Sequence, residues 1–133
     1  MKYFLSVFDS VYLGIPSECT ERVISVSRKQ SSVYETEKQE AYISLPLLFK
    51  RSDVSSPHGI VLKAANEEIK TILLAPPLDI DTEISDEDIH DIPKAFSGIL
   101  RYCKGACFIG KAHGERLILT LDVEKITKDF TRA

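Results

Sequence analysis

The chain has 133 residues, with 17 Lys plus Arg against 20 Asp plus Glu (net charge −3), 44% hydrophobic and 28% charged. That is one compact domain with apolar content enough for a core, which excludes a disordered chain and a second independent domain. The longest apolar runs, near residues 72–75 and 117–121, fall far short of the roughly 20 residues of a membrane helix, and no charged-then-apolar leader opens the chain.

The chain is therefore expected to be soluble and unsecreted, without direct membrane insertion. Lys and Arg are scattered rather than grouped into a stripe, so nucleic-acid binding is disfavoured. Cys19, Cys103 and Cys107 make an odd count without framework spacing, which reads as thiols in a reducing, cytoplasmic compartment.

In residues 3–8 only Ser6 is polar, and an apolar run at 11–15 follows Asp9-Ser10, which predicts a hairpin. Pro16 ends the second strand, and Ser17 with Glu18 suits the start of a short helical turn before the β-branched run of Val23, Ile24 and Val26. Residues 27–40 are polar but for Val33 and Tyr34, which predicts a long loop. Residues 41–49 read as a strand entering a helical turn, with Ser44 as N-cap and Pro46 in the first turn.

Residues 60–65 and 69–75 predict a second hairpin across Asn66-Glu67-Glu68, stopped by Pro76-Pro77. Between Thr71 and Pro93 there is no Lys or Arg, while Asp79, Asp81, Glu83, Asp86, Glu87, Asp88 and Asp91 form an acidic ridge. Residues 99–109 and 115–121 are strand-like, and Asp122 can cap a last helix whose apolar face is Val123, Ile126 and Phe130. The fold class is mainly β, with two clusters of strands suggesting two small β-lobes.

Catalytic and ligand-binding parts are sparse. Cys103, Cys107 and His113 include zinc-ligand types, but on a strand positions 103 and 107 stand about 13 Å apart, too far for one ion. Asp79-Ile80-Asp81-Thr82-Glu83-Ile84 opens like a calcium loop, yet Ile84 stands where that loop needs Gly. His58, His90 and His113 read as exposed loop histidines, no nucleophile elbow is present, and the six glycines form no phosphate-cradling loop. The expectation is a binding module with no catalytic residue, metal, cofactor or small-molecule substrate; a small thiol- or metal-dependent enzyme using Cys103, Cys107 and His113 is the alternative of another class.

The run Tyr12-Leu13-Gly14-Ile15-Pro16-Ser17-Glu18, with Val23-Ile24 after it, resembles the opening of CheW-like domains. Further along, Ile43-Ser44-Leu45 is similar to the family's Val-Val-Asp-Leu step, residues 60–74 to its central hairpin, and Ile84 through Ile89 with Pro93 to its aliphatic-Pro connection. Lys104-Gly105 and then Arg116-Leu117-Ile118-Leu119-Thr120-Leu121-Asp122-Val123-Glu124-Lys125 are similar to its closing strand and helix.

This resemblance implies a single CheW-like domain of two SH3-like, five-stranded β-lobes with short helices and a C-terminal helix. The lobes would come from roughly residues 1–58 and 59–133, with strand exchange left open. It also implies a non-catalytic adaptor coupling chemoreceptors to the histidine kinase CheA in cytoplasmic arrays at the bacterial membrane, or an accessory scaffold of another signalling or motility complex. By position, Val23, Ile24, Val26, Tyr42 and Ile43 become the partner-binding candidates, with core packing as their competing role.

Three departures bear on the partner. Residues 31–42 lack the family's Gly and Arg, Arg22 stands for Glu, and Ser44 stands for Asp. Loss of a guanidinium fork and reversal of a charge alter which surfaces are complementary.

Overall fold

The computed structural model describes residues 1–8, 10–63, 68–96, 100–109 and 116–130. Its strands are β1 (Lys2–Phe8), β2 (Val11–Pro16), β3 (Thr20–Ser25), β4 (Tyr34–Glu37), β5 (Glu40–Ser44), β6 (His58–Leu62), β7 (Lys70–Ala75), β8 (Leu78–Glu83), β9 (His90–Asp91), β10 (Cys103–Ile109) and β11 (Arg116–Leu121). Two α-helices, α1 (Leu45–Leu48) and α2 (Val123–Phe130), and three single 3₁₀ turns complete the elements. The chain forms two compact units, Met1–Ser17 with Asp79–Ile126, and Glu18–Leu78 with the chain from Thr127 onward. The fold is mainly β with two lobes, as expected.

In the first unit the sheet order is β8-β1-β2-β11-β10-β9, five longer strands and the two-residue β9. β1 and β2 form the expected hairpin, with Phe8 opposite Val11, and β2 pairs in parallel with β11. Directly opposed residues share a face. One face therefore gathers Tyr3, Leu5, Tyr12, Cys107 and Ile118, which pack with Ile84 into a core.

Opposite Thr120, β10 carries a bulge at residues 104–105, and the Thr120 hydroxyl donates to the Gly105 carbonyl at 3.1 Å. Gly105 is there because space is absent: an added Cβ would lie 2.4 Å from Ile89 Cγ2 and 3.0 Å from the His90 carbonyl oxygen. Asp122 caps α2 by accepting the Lys125 N–H at 3.1 Å, and Val123 and Ile126 are buried.

In the second unit the order is β3-β6-β7-β5-β4, again with one parallel pair, β5–β7, among antiparallel ones. Ile60, Leu73, Ala75, Ala41 and Ile43 share one face and are 0% exposed. Val61, Ile72 and Leu74 lie on the other face and form a core of their own. A sheet buried on both faces explains the continuous apolar run of β7, where alternation would mark a half-solvated strand.

The helical turn α1 follows from its sequence. Ser44 Oγ accepts the Leu47 N–H at 3.3 Å, and Pro46 sits in the first turn, where its missing N–H is no loss. The exit is a Schellman closure, with Lys50 N–H donating to the Leu47 carbonyl at 2.9 Å and Arg51 N–H to the Pro46 carbonyl at 2.8 Å. Lys50 takes φ 61° at the position where Gly is favoured.

The structure refines three sequence readings. The strand exchange left open across the rough 1–58 and 59–133 division is present: β1 and β2 join β8 to β11 through the parallel β2–β11 pairing, which is non-local and leaves no local pattern. Residues 27–40 are not all loop, since β4 lies there and β5 begins at Glu40. β4 is an edge strand on which Glu35 and Glu37 share the face of Tyr42 and pair there with Arg28, so its composition reads as polar. Residues 79–83, where Ile84 already speaks against a calcium loop, belong to β8. Asp9, the link at 64–67, and residues 110–115 with His113 lie outside the described residues.

Candidate functional site

The five partner-binding candidates separate by strand parity. On β3, Ile24 lies opposite Gly59 and Val23 opposite Ile60, so the two neighbours face opposite ways. Ile24, Val26 and Tyr42 pack against Val61, Ile72 and Leu74 and stay partly exposed, whereas Val23, on the other face, is 38% exposed. Ile43 is 0% exposed, which removes it from any contact surface of the folded unit: Tyr42 and Ile43 are adjacent, and only one of two neighbours on a strand can share a face with Ile24. The sheet packs tightly here, since a Cβ on Gly59 would stand 2.6 Å from Val26 Cγ2 and 3.1 Å from Ile24 Cγ1.

A residue that sequence reasoning missed organises this face. Arg28 lays its guanidinium over the Tyr42 ring at 4.3 Å, donates to Glu37 Oε2 at 2.5 Å and Glu35 Oε1 at 3.4 Å, and reaches Gln30 Oε1 at 3.2 Å. Glu35 also accepts the backbone N–H groups of Ser31 (2.9 Å) and Ser32 (3.1 Å). The Ser32 amide first, then that of Ser31 and the Arg28 charge, hold its carboxyl below the usual carboxylate range. The Tyr42 hydroxyl bonds to the Glu40 carboxylate, which with burial pushes the phenol up. The available signal was the two-residue spacing of Glu35 and Glu37, which on a strand puts both carboxylates on one side.

Beyond Arg28 the unit holds a cavity of about 640 Å³. Segments 26–30 and 51–57 line it, together with the buried Ser44, Pro46 and Leu74. Leu47 and Val54 add apolar surface, and four of its lining residues are charged: Arg28, Lys29, Arg51 and Asp53. Arg51 pairs with Asp53 at 2.9 Å.

The first unit presents two other surfaces. Phe8, Val11, Leu117 and Phe108 are opposed strand by strand and so form one apolar row, at whose end Phe108 is 63% exposed. On the edge strand β8, Asp79, Asp81 and Glu83 are exposed at alternate positions, on one side of the strand, spread roughly 7 Å apart along it rather than converging on a centre. Asp79 also accepts the Tyr12 hydroxyl at 2.9 Å.

The thiols are not assembled into a centre. Cys103 lies opposite Leu121 and Cys107 opposite Ile118, and the intervening bulge puts the two sulfurs on opposite faces of the sheet. Burial pushes the Cys103 thiol up to about 11 and raises that of Cys107, where the Asp88 charge adds to the effect. His58 opens β6 and His90 lies on β9, so neither stands in a loop.

No family model and no curated protein sequence matches the chain. A solved structure does: the scaffolding protein TtCheW from Thermoanaerobacter tengcongensis has a TM-score of 0.65 at 13% identity, over 90% of this chain and 82% of that one. The fold is CheW-like. The CheW likeness extends over both units, in agreement with the resemblance carried by residues 12–24 and 116–125. No helix among the described residues is long and apolar enough to cross a membrane.

Proposed function

We propose that residues 1–133 form a single CheW-like domain that acts as a non-catalytic adaptor, gripping other proteins rather than transforming a substrate. The observation that carries this reading is the TM-score of 0.65 to a scaffolding protein across 90% of the chain. The separation of Cys103 from Cys107 onto opposite faces supports it, because the thiol-dependent alternative needs those two groups together. The partners proposed from the family are the histidine kinase CheA and the cytoplasmic tip of a methyl-accepting chemoreceptor, with the protein working in the cytoplasm at receptor arrays.

Contact is assigned to the partly exposed Ile24, Val26 and Tyr42 on one face of the sheet and to Val23 on the other, the face on which Ile43 is core. Arg22 in place of Glu and the missing Gly and Arg within residues 31–42 favour a second reading, a CheW-fold scaffold of another signalling or motility complex. Co-purification with CheA and with a receptor fragment separates the two. The first reading expects the wild-type chain to retain both and Val23→Asp, chosen because Val23 is 38% exposed, to lose one while keeping its circular dichroism and melting curve. Absence of both partners from the wild-type eluate sinks the coupling role, and full retention by the folded Val23→Asp variant sinks the contact assignment.

A further inference from the structure

β3 and β6 run as an antiparallel pair and then part company. Their last link is the Val26 N–H donated to the Pro57 carbonyl at 3.0 Å, and beyond it no backbone hydrogen bond joins residues 27–30 to residues 52–56. The 640 Å³ cavity lies in this split, so two stretches of main chain without mutual pairing line it. Leu74, 2% exposed, and Pro46 line it too, with the partly buried Leu47 and Val54.

Backbone edges and apolar lining are the two things that recognise an extended peptide. The main-chain groups supply affinity, and pockets below take alternate side chains. Charge selects among peptides. Arg28, Lys29 and Arg51 line the cavity with the carboxylate of Asp53, and the carboxylates of Glu35 and Glu37 stand beside Arg28. Arg28 is held by Glu35 and Glu37 and Arg51 by Asp53, while the exposed Lys29 has no carboxylate partner among the described residues.

We infer that the split between β3 and β6 is a docking groove for an extended, acidic peptide segment. The guest lies between residues 27–30 and 52–56, exchanges backbone hydrogen bonds with them, sets apolar side chains over the half-buried Leu47 and Val54, and places a carboxylate at Lys29. The inference deepens the adaptor reading, on which it rests for the guest to belong to a partner protein.

The test is selection of a displayed random-octapeptide library on the purified full chain, followed by synthesis of the enriched sequence with a fluorescent label. Enrichment of alternating apolar and acidic sequences is expected. Anisotropy should then show binding at least tenfold weaker for the backbone N-methylated peptide and for the Lys29→Glu chain, and the peptide should slow amide exchange at residues 27–30. Three results overturn the proposal: no enrichment of such sequences, equal binding of the N-methylated peptide, or protection confined to another surface. Failure here with CheA or receptor co-purification intact rejects the groove alone. A working groove in a chain that retains neither partner rejects the coupling role alone.

Discussion

The two sheets share one pairing scheme and use it differently. Read as β1-β2-β11-β10-β9 and β4-β5-β7-β6-β3, each is a hairpin joined in parallel to a second antiparallel pair, with one more antiparallel strand outside. In the first sheet that outer strand is two residues long and is pressed against Gly105, with no room for even a methyl group. Its counterpart β3 is six residues long, packs its side chains on Gly59, and leaves β6 at Val26 to open a cavity. The same topology therefore makes a closed corner in one place and a split sheet in the other.

The sharpest test of the shared scheme is paired truncation. Ile43 and Leu13 occupy equivalent positions on the parallel strands, opposite Leu73 and Leu119, and both are buried. Ile43→Ala and Leu13→Ala should each destabilise by about 3–4 kcal/mol, read from the urea midpoint, whereas Val23→Ala should lose less than about 1 kcal/mol. A small effect at Ile43 would restore it as a surface residue.

The glycine contrast predicts unequal losses. Gly105→Ala meets Ile89 Cγ2 at 2.4 Å and the His90 carbonyl oxygen at 3.0 Å and should destabilise by about 3 kcal/mol, while Gly59→Ala meets only side chains of Val26, Ile72 and Ile24 and should lose about 1–2 kcal/mol. Equal values in thermal or chemical denaturation would show that the two corners do not differ in rigidity.

Arg28 over Tyr42 has a counterpart in the first sheet, where the Arg116 guanidinium lies 5.1 Å from the Tyr12 ring, and its removal should affect the second unit. Arg28→Met is expected to destabilise by about 1 kcal/mol, with part of the difference vanishing in high salt because the partners are half exposed. Its partner Glu35 gives a pH signature. A carboxyl held below its ordinary value when folded contributes stability that is complete above the unfolded value and disappears as pH falls through the lower, folded one. Acid titration of the urea midpoint should therefore fall less steeply in Glu35→Gln than in the wild type.

The smallest effect has the opposite sign. Lys50 sits at φ 61° in the closure of α1, and Lys50→Gly should stabilise by about 0.5 kcal/mol, the left-handed strain relieved less the added entropy of the unfolded chain. A loss of stability would mean that the lysine side chain contributes more than its backbone strain.

Much of the local structure was legible. The hairpins, the Ser44 cap with Pro46, and the Asp122 cap of α2 all follow from short-range patterns, because their stabilising groups lie within a few residues of one another. The strands β4 and β8 were hidden by Glu35, Glu37, Asp79 and Asp81, since an edge strand needs an apolar side only toward its core. Of the candidate site, β-branching marked Val23, Ile24 and Val26, but the bulge at Glu21 and the neighbouring Gly59 decide which of them faces the core.

By itself the sequence determined the mainly β class, the turn and cap chemistry, the burial of the β7 run and the separation of Cys103 and Cys107 along one strand. Only the tertiary structure decided which strands share a sheet, that Ile43 is inaccessible while Tyr42 is not, and that β3 and β6 split around a cavity. The reason is one of range. Periodicity and capping are set by neighbours in the chain, whereas parallel pairing, face assignment and the gap between two strands depend on contacts between residues tens of positions apart, which local composition does not encode.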